Sequence, residues 1–358
     1  MVSELSLNLP DYIGTTIVLF KNKVSYPYKG KLLCLDIPIS NSFFLKIYYF
    51  FIAWLRFKKI VRKENPDHVI SFGVPADLIS VFTNKQALLR VDSVMSISYS
   101  LVYRILIRLF FNKADKIVCV SRVAAKDLTD NFGVKKDKIR VIYNPLNVKE
   151  IERLASQPLE PEYKVIFGNP VIITAGRLTK QKNQQFLIKA FKEVKKTTKE
   201  ARLVILGEGE LEPELRQLAK DLDLENSVHF LGWQENPFKF LSKSKVFILS
   251  SIWEGLPYAV LEAMACGLPI ISVDCQSGPR EILAPGSDMN WQAEDIERAD
   301  YGILTPPPYG KSNSEKKLSE AMVKLLSNEQ LSSNLSQKSK QRAGDFDIKQ
   351  IIKQWDFL

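Results

Sequence analysis

Histidine and cysteine are scarce in this chain of 358 residues, and their scarcity limits the metal sites that it can form. The two histidines, His68 and His229, fall in separate strand-like runs, and no two of the four cysteines form a Cys-x2-Cys pair. The cysteines are Cys34, Cys119, Cys266 and Cys275. Zinc sites and disulfide frameworks need closely spaced or paired ligands. We therefore expect no structural metal, and core thiols in a reducing compartment.

The sequence shows no pattern typical of a signal peptide or a transit peptide, and we expect no apolar run that could cross a bilayer. Its most apolar stretch, residues 42–63, is interrupted by Lys46 and turns cationic from Arg56, whereas a spanning helix takes ~20 mostly apolar residues. This stretch predicts an aromatic-rich helix with a cationic C-terminal end, and residues 101–113 predict a second helix of the same kind. Each helix either lies on an anionic membrane face or covers the N-terminal sheet with only its cations in water.

Positive charge is concentrated in the first half of the chain. Residues 1–150 hold 23 Lys and Arg against 12 Asp and Glu, whereas residues 151–358 hold 27 against 28. Nucleic-acid binding explains this positive charge less well than an anionic membrane does, because the sequence shows no recognisable nucleic-acid-binding module or aromatic platform. With 46% hydrophobic residues, the chain is long enough for a large soluble enzyme of two domains.

Strand and helix patterns alternate in the first half, and this alternation predicts an α/β domain with a parallel sheet over residues 1–150. The predicted strands are Thr16–Phe20, Lys31–Asp36, His68–Phe72, Ala87–Val91, Lys116–Val120 and Arg140–Tyr143. Helices are predicted at about 42–64, 100–112 and 121–132. The polar stretch that follows, up to about Asn169, is typical of an interdomain connection.

The second half repeats this plan from Val171 to Leu304 and predicts a second domain over residues 165–344. A proline-rich loop, Thr305–Asn313, and two polar helices follow. The last segment, residues 345–358, is amphipathic and is predicted to dock elsewhere as a helix. Its apolar residues are Phe346, Ile348, Ile351, Ile352, Trp355, Phe357 and Leu358.

The segment from Trp253 to Pro269 carries the strongest functional pattern. Gly255 allows a tight turn and Pro257 suits the first position of a helix, so the helix would begin with unbonded amides that favour an anion. Glu254 would lie beside that anion, and Glu262 would follow two turns along the helix. Taken alone, the two acids are more typical of a capped surface helix with solvated glutamates.

The flanking strands favour the functional interpretation. Apolar runs at 245–250 and 269–274 make the segment a β-α-β unit, in which ligands bind beyond the carboxyl ends of the strands. Upstream, another strand is followed by Gly176, Arg177 and Lys182. The two cations, Arg177 and Lys182, could bind a diphosphate without a metal. The alternative is a solvated basic turn. Gly207 ends a third strand and would permit close backbone approach to a ligand.

The Glu-x7-Glu signature, with Gly-Leu-Pro inside it and Glu-Ala-Met-Ala-Cys-Gly-Leu-Pro from Glu262 onward, resembles the family-4 retaining glycosyltransferases of the GT-B fold. This resemblance implies two Rossmann-like, doubly wound parallel-sheet domains that face a central cleft, with the last helix crossing back to the first domain.

The resemblance also implies a role for each candidate residue of a nucleotide-sugar site. Glu262 would bind the ribose hydroxyls, Glu254 the donor sugar, and the backbone near Leu231 the base. The diphosphate would be held by Arg177, Lys182 and the amides of Gly255 and Leu256, beside the glycine turns at Gly176 and Gly207.

The same resemblance implies a nucleotide-sugar donor and no separate cofactor or metal. The run Ser277–Leu283 resembles bacterial relatives that build polysaccharides or lipid-linked glycans, which favours a UDP-hexose or UDP-N-acetylhexosamine donor and a lipid-diphosphate or saccharide acceptor. The enzyme would be cytoplasmic and peripheral on the inner face of the plasma membrane.

Two departures from the family pattern concern the first half. The opening strand and glycine loop of the family are absent before residues 1–10, so the chain is expected to be truncated, assigned a wrong start, or inactive. Many relatives carry a histidine where this chain has Leu89–Ser93, and Arg90 or Asp92 would hold that position. An inactive nucleotide-sugar-binding protein, a nucleotide-sugar isomerase and a basic membrane or nucleic-acid scaffold are the alternatives.

Overall fold

A computed structural model of the protein describes residues 2–24, 27–40, 42–309 and 313–356. The chain divides into two compact units. Unit 1 comprises Met1–Pro145 and Ile348–Leu358, and unit 2 comprises Leu146–Asp347. Among the helices in the described ranges, none is both long and apolar enough to span a membrane.

Unit 1 alternates strands and helices, as its sequence predicts. Its strands are β1 (Thr16–Leu19), β2 (Lys31–Cys34), β3 (His68–Phe72), β4 (Gln86–Val91), β5 (Lys116–Cys119) and β6 (Ile139–Val141). Its helices are α1 (Val2–Asn8), α2 (Phe43–Glu64), α3 (Val74–Ser80), α4 (Met95–Ser98), α5 (Leu101–Phe110), α6 (Arg122–Phe132) and α16 (Ile348–Lys353).

The strands of unit 1 form two separate sheets, where the alternation had suggested one. β1 pairs with β2, and β3, β4, β5 and β6 form a four-stranded sheet in that order, with every pair parallel. Helix α3 was not predicted, because it has only seven residues and contains Pro75. It begins directly after Gly73, which has a φ of 91°, a backbone conformation that glycine adopts easily and other residues rarely do.

The last described residues pack against unit 1. Ile351 and Trp355 are buried together with Leu5, Val118 and Ile142, and α16 contacts α1. The helix of this segment covers only six residues, so the prediction of a helix over 345–358 was wrong in its extent. Phe357 and Leu358 lie outside the described residues.

Unit 2 contains a seven-stranded sheet flanked by helices. Its strands are β7 (Val171–Ala175), β8 (Arg202–Leu206), β9 (Val228–Gly232), β10 (Val246–Leu249), β11 (Ile270–Val273), β12 (Glu297–Arg298) and β13 (Ile303–Thr305). Its helices are α7 (Val148–Ala155), α8 (Lys164–Phe167), α9 (Gln184–Thr197), α10 (Glu212–Asp221), α11 (Phe238–Leu241), α12 (Tyr258–Ala265), α13 (Pro279–Leu283), α14 (Ser314–Ser327) and α15 (Glu329–Gly344).

The sheet order in unit 2 is β12-β13-β11-β10-β7-β8-β9, and only the β12–β13 pair is antiparallel. Its central strands are buried over their full length, which explains their continuous runs of Val, Ile and Leu. Of the predicted proline-rich loop, residues 310–312 lie outside the described residues.

The stretch predicted as a bare connection folds as part of unit 2. Asn147 caps α7 by accepting a hydrogen bond from the amide of Glu150, and Ile151 is buried. Helix α7 contacts α11 and α12. The polar surface of this short amphipathic helix resembles a linker in sequence, which explains the wrong prediction.

Candidate functional site

The strand order of unit 2 reverses between β7 and β10. From β7 the chain proceeds through β8 and β9 on one side, and through β10, β11 and β13 on the other. These strands are parallel, so their carboxyl ends lie at one edge of the sheet. In open parallel sheets, ligands bind outside this edge at the point of reversal. The residues that follow β7 and β10 therefore flank the expected ligand position.

Two glycines allow the loops after β7 and β8 to pack closely. Gly176 follows β7 with a φ of 155°, and Gly207 follows β8 with a φ of 121°. A Cβ at Gly207 would collide with the carbonyl oxygen of Gly176, and a Cβ at Gly209 would collide with the backbone of Leu178. The close backbone approach at Gly207 is thus made to the neighbouring loop, which explains why glycine is needed there.

An ion pair joins the loops on the two sides of the reversal. Lys182 Nζ lies 2.6 Å from Glu254 Oε1, with the two side chains 20% and 8% exposed. Gln181 Nε2 also donates to the carbonyl of Trp253 at 3.0 Å, and Ser250 Oγ donates to the carbonyl of Lys182 at 2.8 Å. Two predicted site residues that are far apart in the chain are therefore brought into direct contact.

Arg177 precedes this pair in the loop after β7. Its side chain is exposed, and within the described ranges its guanidinium has no hydrogen-bond or ion-pair partner. The loop itself is held in place, because the buried Gln184 donates to the carbonyl of Arg177 at 2.9 Å. A cation without a counter-ion on a fixed loop can bind an anionic ligand.

The start of α12 is braced by the loop after β11. The helix begins at Tyr258, with Pro257 as its N-cap and no side chain capping it, so Pro257 lies one position earlier than predicted. Ser277 Oγ donates to the carbonyl of Gly255 at 3.0 Å. Gly278 has a φ of 81°, and a Cβ there would lie 2.6 Å from Cδ of Pro257. The second loop thus fixes the junction that carries Glu254.

Glu262 is the fifth residue of α12, so it lies one turn from the start of the helix and not two. Its side chain is half-buried, and burial raises its pKa to about 7. Its carboxyl group has no hydrogen bond or ion pair to another described residue. A desolvated carboxyl without a partner is stabilised by hydroxyl donors from a ligand.

Leu231 lies in a β-bulge at the end of β9. Phe230 pairs with Ile205 and Gly232 with Leu206, which leaves Leu231 without a partner in β8. Its carbonyl accepts a hydrogen bond from Nε2 of Gln234 at 2.6 Å. The bulge turns one peptide group out of the regular ladder.

Arg90 of unit 1 has a structural role. The buried guanidinium donates to Asp92 Oδ1 at 3.0 Å, to the carbonyl of Ile142 at 2.7 Å and to Asn144 Oδ1 at 2.9 Å. These bonds tie β4 to the segment after β6. Burial lowers the pKa of Arg90, and about half of the Asp92 side chain is exposed.

Sequence reasoning missed three residues that hold the site together. Gln181 and Gln184 fix the loop after β7, and Ser277 fixes the start of α12. Polar residues within a few positions of a predicted strand end were the available signal. In the described ranges no three His, Cys, Asp or Glu side chains form a group that could hold a metal ion.

Comparison with known families decides the class of protein. The family described as "Glycosyl transferases group 1" matches residues 160–342, more than half of the chain. The chain belongs to this glycosyltransferase family. A second family description, "Glycosyltransferase Family 4", matches residues 31–150 of the same glycosyltransferase. The predicted glycosyltransferase class is thereby confirmed.

Individual relatives agree with this assignment. An uncharacterised glycosyltransferase of Methanocaldococcus jannaschii is 36% identical over 84% of this chain and 80% of the relative. A second relative, from Campylobacter jejuni, is 30% identical, and the match covers 94% of this chain and 88% of the relative. It is named N-acetylgalactosamine-N,N'-diacetylbacillosaminyl-diphospho-undecaprenol 4-alpha-N-acetylgalactosaminyltransferase.

A solved structure supports the fold. The Anabaena protein HepE in complex with UDP and glucose has a TM-score of 0.72 to this glycosyltransferase at 17% identity, and the match covers 92% of this chain and 85% of HepE. At this identity the likeness concerns the fold alone. The α/β architecture and the GT-B class predicted from the sequence are confirmed.

Proposed function

We propose that this glycosyltransferase moves a hexose or N-acetylhexosamine from a UDP-sugar to a lipid-linked or saccharide acceptor, with retention of configuration, in surface polysaccharide or glycan biosynthesis. The observation that carries the proposal is the Lys182–Glu254 ion pair at the reversal of the parallel sheet, beside the exposed Arg177. Cations that are fixed at this point suit a diphosphate, and an adjacent carboxylate suits sugar hydroxyls.

The position of each residue supports the role that we propose for it. Arg177, Lys182 and the amides of Gly255 and Leu256 would bind the diphosphate at the uncapped start of α12. Glu254 would accept hydrogen bonds from the donor sugar. Glu262 would accept them from the ribose, and the bulged backbone at Leu231 would bind the base.

The reaction breaks the bond between the anomeric carbon and the β-phosphate oxygen of the donor. The bond to the acceptor oxygen forms on the same face of the sugar, and the acceptor proton passes to a phosphate oxygen of the leaving UDP. Negative charge develops on the diphosphate as it leaves. Fixed cations and helix amides would stabilise that charge more strongly in the transition state than in the bound donor. We propose that this needs no metal.

Two relatives support the substrate classes. HepE was solved with UDP and glucose, and the Campylobacter relative is named for transfer to a diphospho-undecaprenol acceptor. We infer a UDP-sugar donor and favour an acceptor that is carried on a lipid diphosphate. We also place the enzyme in the cytoplasm, on the inner face of the plasma membrane, as part of the same proposal.

The test is donor turnover by the purified chain with a panel of UDP-, GDP- and ADP-sugars, with and without a chelator. We expect hydrolysis or transfer with a UDP-sugar, and loss of that signal in Arg177→Ala. Lys192→Ala, which removes an exposed cation from α9, is the matched control. Unchanged turnover in Arg177→Ala would refute the diphosphate assignment.

Calorimetry with UDP separates the alternatives. Binding without turnover of any donor would support an inactive nucleotide-sugar-binding protein. Conversion of one nucleotide sugar into another would support an isomerase. Absence of both binding and turnover would remove every nucleotide-sugar interpretation.

A further inference from the structure

The first half of α2 exposes an unusual number of apolar side chains. Residues 44–51 of this helix include six large apolar residues that are at least one-third exposed, with Phe44 at 81%. They are Phe44, Leu45, Ile47, Tyr48, Phe50 and Phe51. The second half is anchored, because Ala53 is buried in a cluster with Leu35 and Ile79, against which Trp54, Phe57 and Ile60 pack. The helix is therefore fixed at one end while its aromatic end contacts water.

A second helix of unit 1 shows the same property. The outer face of α5 exposes Leu101, Val102, Ile105 and Leu109, the first of them at 69%, while Ile107 on the opposite face is fully buried. Helix α3 contacts both α2 and α5, so the two helices are near neighbours in unit 1. We call these ten exposed apolar residues of α2 and α5 the α2–α5 surface.

The two helices that carry the α2–α5 surface are rich in cations and poor in acids. Residues 43–64 and 101–113 contain nine Lys and Arg and one acid, Glu64, which is paired with Lys31. Some of these cations lie over aromatic rings, as Lys58 does 5.0 Å from the centre of Trp54 and Lys113 does 4.8 Å from that of Phe82. Apolar side chains bordered by cations match a bilayer whose acyl chains lie beneath anionic headgroups.

Two other partners, a second copy of the chain and nucleic acid, would match the α2–α5 surface less well than a bilayer. A second copy of the chain would place two strongly cationic surfaces face to face, which costs free energy by like-charge repulsion. Nucleic acid would pair with the cations but would leave Leu101, Ile105 and Leu109 without apolar partners, since its outer surface is phosphate and sugar.

We propose that the α2–α5 surface inserts into the headgroup region of an anionic phospholipid leaflet and holds unit 1 there. The exposed half of α2 enters between the headgroups, and the cations of α2 and α5 contact lipid phosphates. Neither contact involves a residue of the proposed donor site, so the inference does not rest on the identity of the donor.

The test is flotation of the full chain with vesicles of phosphatidylglycerol and phosphatidylcholine, compared with vesicles of phosphatidylcholine alone. We expect binding to the anionic vesicles that weakens with added salt. The triple variant Phe44→Ser, Ile47→Ser, Phe51→Ser should lose at least about tenfold in partitioning, because it removes exposed apolar area that would otherwise enter the leaflet.

The control variant removes exposed apolar side chains elsewhere. Tyr12→Ser, Val165→Ser, Trp291→Ser changes residues of comparable exposure outside the α2–α5 surface, and it should bind vesicles like the unchanged chain. UDP calorimetry and thermal melting are run on all three proteins. The triple variant should keep its UDP affinity and its melting temperature, which separates failure of membrane binding from failure of the donor site.

Three results would overturn the inference. The first is that the unchanged chain fails to float with anionic vesicles. The second is that the triple variant floats as well as the unchanged chain. The third is a dimer in light scattering that the triple variant converts to a monomer without any vesicle binding, since the surface would then join two copies of the chain.

Discussion

The two units are built from the same kinds of elements but differ in continuity. Unit 2 has one sheet of seven strands, and one buried cluster includes residues of four of its helices and six of its strands. The described residues of unit 1 form sheets of two and four strands, and their buried side chains fall into separate clusters. A continuous sheet fixes its loops relative to each other, so unit 2 can hold a ligand site from loops that are far apart in sequence, such as those of Lys182 and Glu254.

Buried arginines allow a direct comparison of the two units. In unit 2, Arg280 donates to Asp274 and Glu297, and Asp274 is almost fully buried. Arg280→Met should lower the free energy of unfolding by about 3–5 kcal/mol, because it leaves a buried carboxylate without its counter-ion. Arg90→Met in unit 1 should cost less, about 2 kcal/mol, because its one acidic partner, Asp92, is half exposed.

Hydrogen exchange of the full chain measures both arginine effects. Arg280→Met should accelerate exchange in β11 and β13, and Arg90→Met in β4 and β6. Arg298→Met, an exposed arginine of β12, is the control. A larger loss of stability in Arg90→Met would contradict the view that unit 2 depends more on its buried ion pairs.

Removal of Lys182 tests the link across the sheet reversal. Lys182→Met leaves Glu254 without its ion-pair partner and removes a cation from the proposed diphosphate site. We expect turnover of the UDP-sugar to fall by about a hundredfold, as for loss of one fixed charge that stabilises a transition state. Exchange in unit 1 should not change. Lys192→Met is the control, and equal turnover in the two variants would contradict the assignment.

The contact between the loop after β11 and the start of α12 is tested by the substitution Gly278→Ala. Gly278→Ala places a Cβ 2.6 Å from Cδ of Pro257 and 3.0 Å from the carbonyl oxygen of Gly255, at a φ that disfavours alanine. We expect the junction to shift and UDP to bind about tenfold more weakly, because the amides of that junction would be displaced from the diphosphate. Gly286→Ala, where a Cβ would contact nothing within 4 Å, should bind UDP normally.

The smallest expected effect is the pH dependence of UDP binding. The pKa of Glu262 is raised to about 7, so the carboxyl gains charge as pH rises through neutrality. If the ionised form binds the ribose, UDP affinity should rise about threefold between about pH 6.5 and about 7.5. Glu262→Gln should flatten this profile in calorimetry. An unchanged profile in that variant would separate Glu262 from nucleotide binding.

The same shift makes a prediction about stability in the absence of ligand. The unfolded chain ionises Glu262 near 4.5, before the folded chain does, so the unfolded state binds fewer protons between that value and 7. Stability should therefore fall as pH rises through this window, and the fall should be smaller in Glu262→Gln.

The order of elements could be predicted from the sequence, because buried parallel strands leave continuous apolar runs. The candidate site residues could be named because they directly follow those strands, and their roles stay predictions. The partner of each side chain could not. The Lys182–Glu254 contact depends on β7 and β10 being neighbours, and strand order is set by packing of the whole sheet. Likewise, Arg90 lies near the end of β4, close to where a catalytic residue is expected, yet its bonds to Ile142 and Asn144 depend on where the segment after β6 lies.

The Lys182–Glu254 pair has a consequence for ligand discrimination. A lysine that is already neutralised at 2.6 Å offers little net attraction to inorganic phosphate, because the neighbouring carboxylate repels any anion that approaches it. A ligand that presents hydroxyl donors to Glu254 together with phosphate oxygens to Lys182 replaces both halves of the pair at once. The ion pair would then make the site bind an intact nucleotide sugar more tightly than either of its separate fragments.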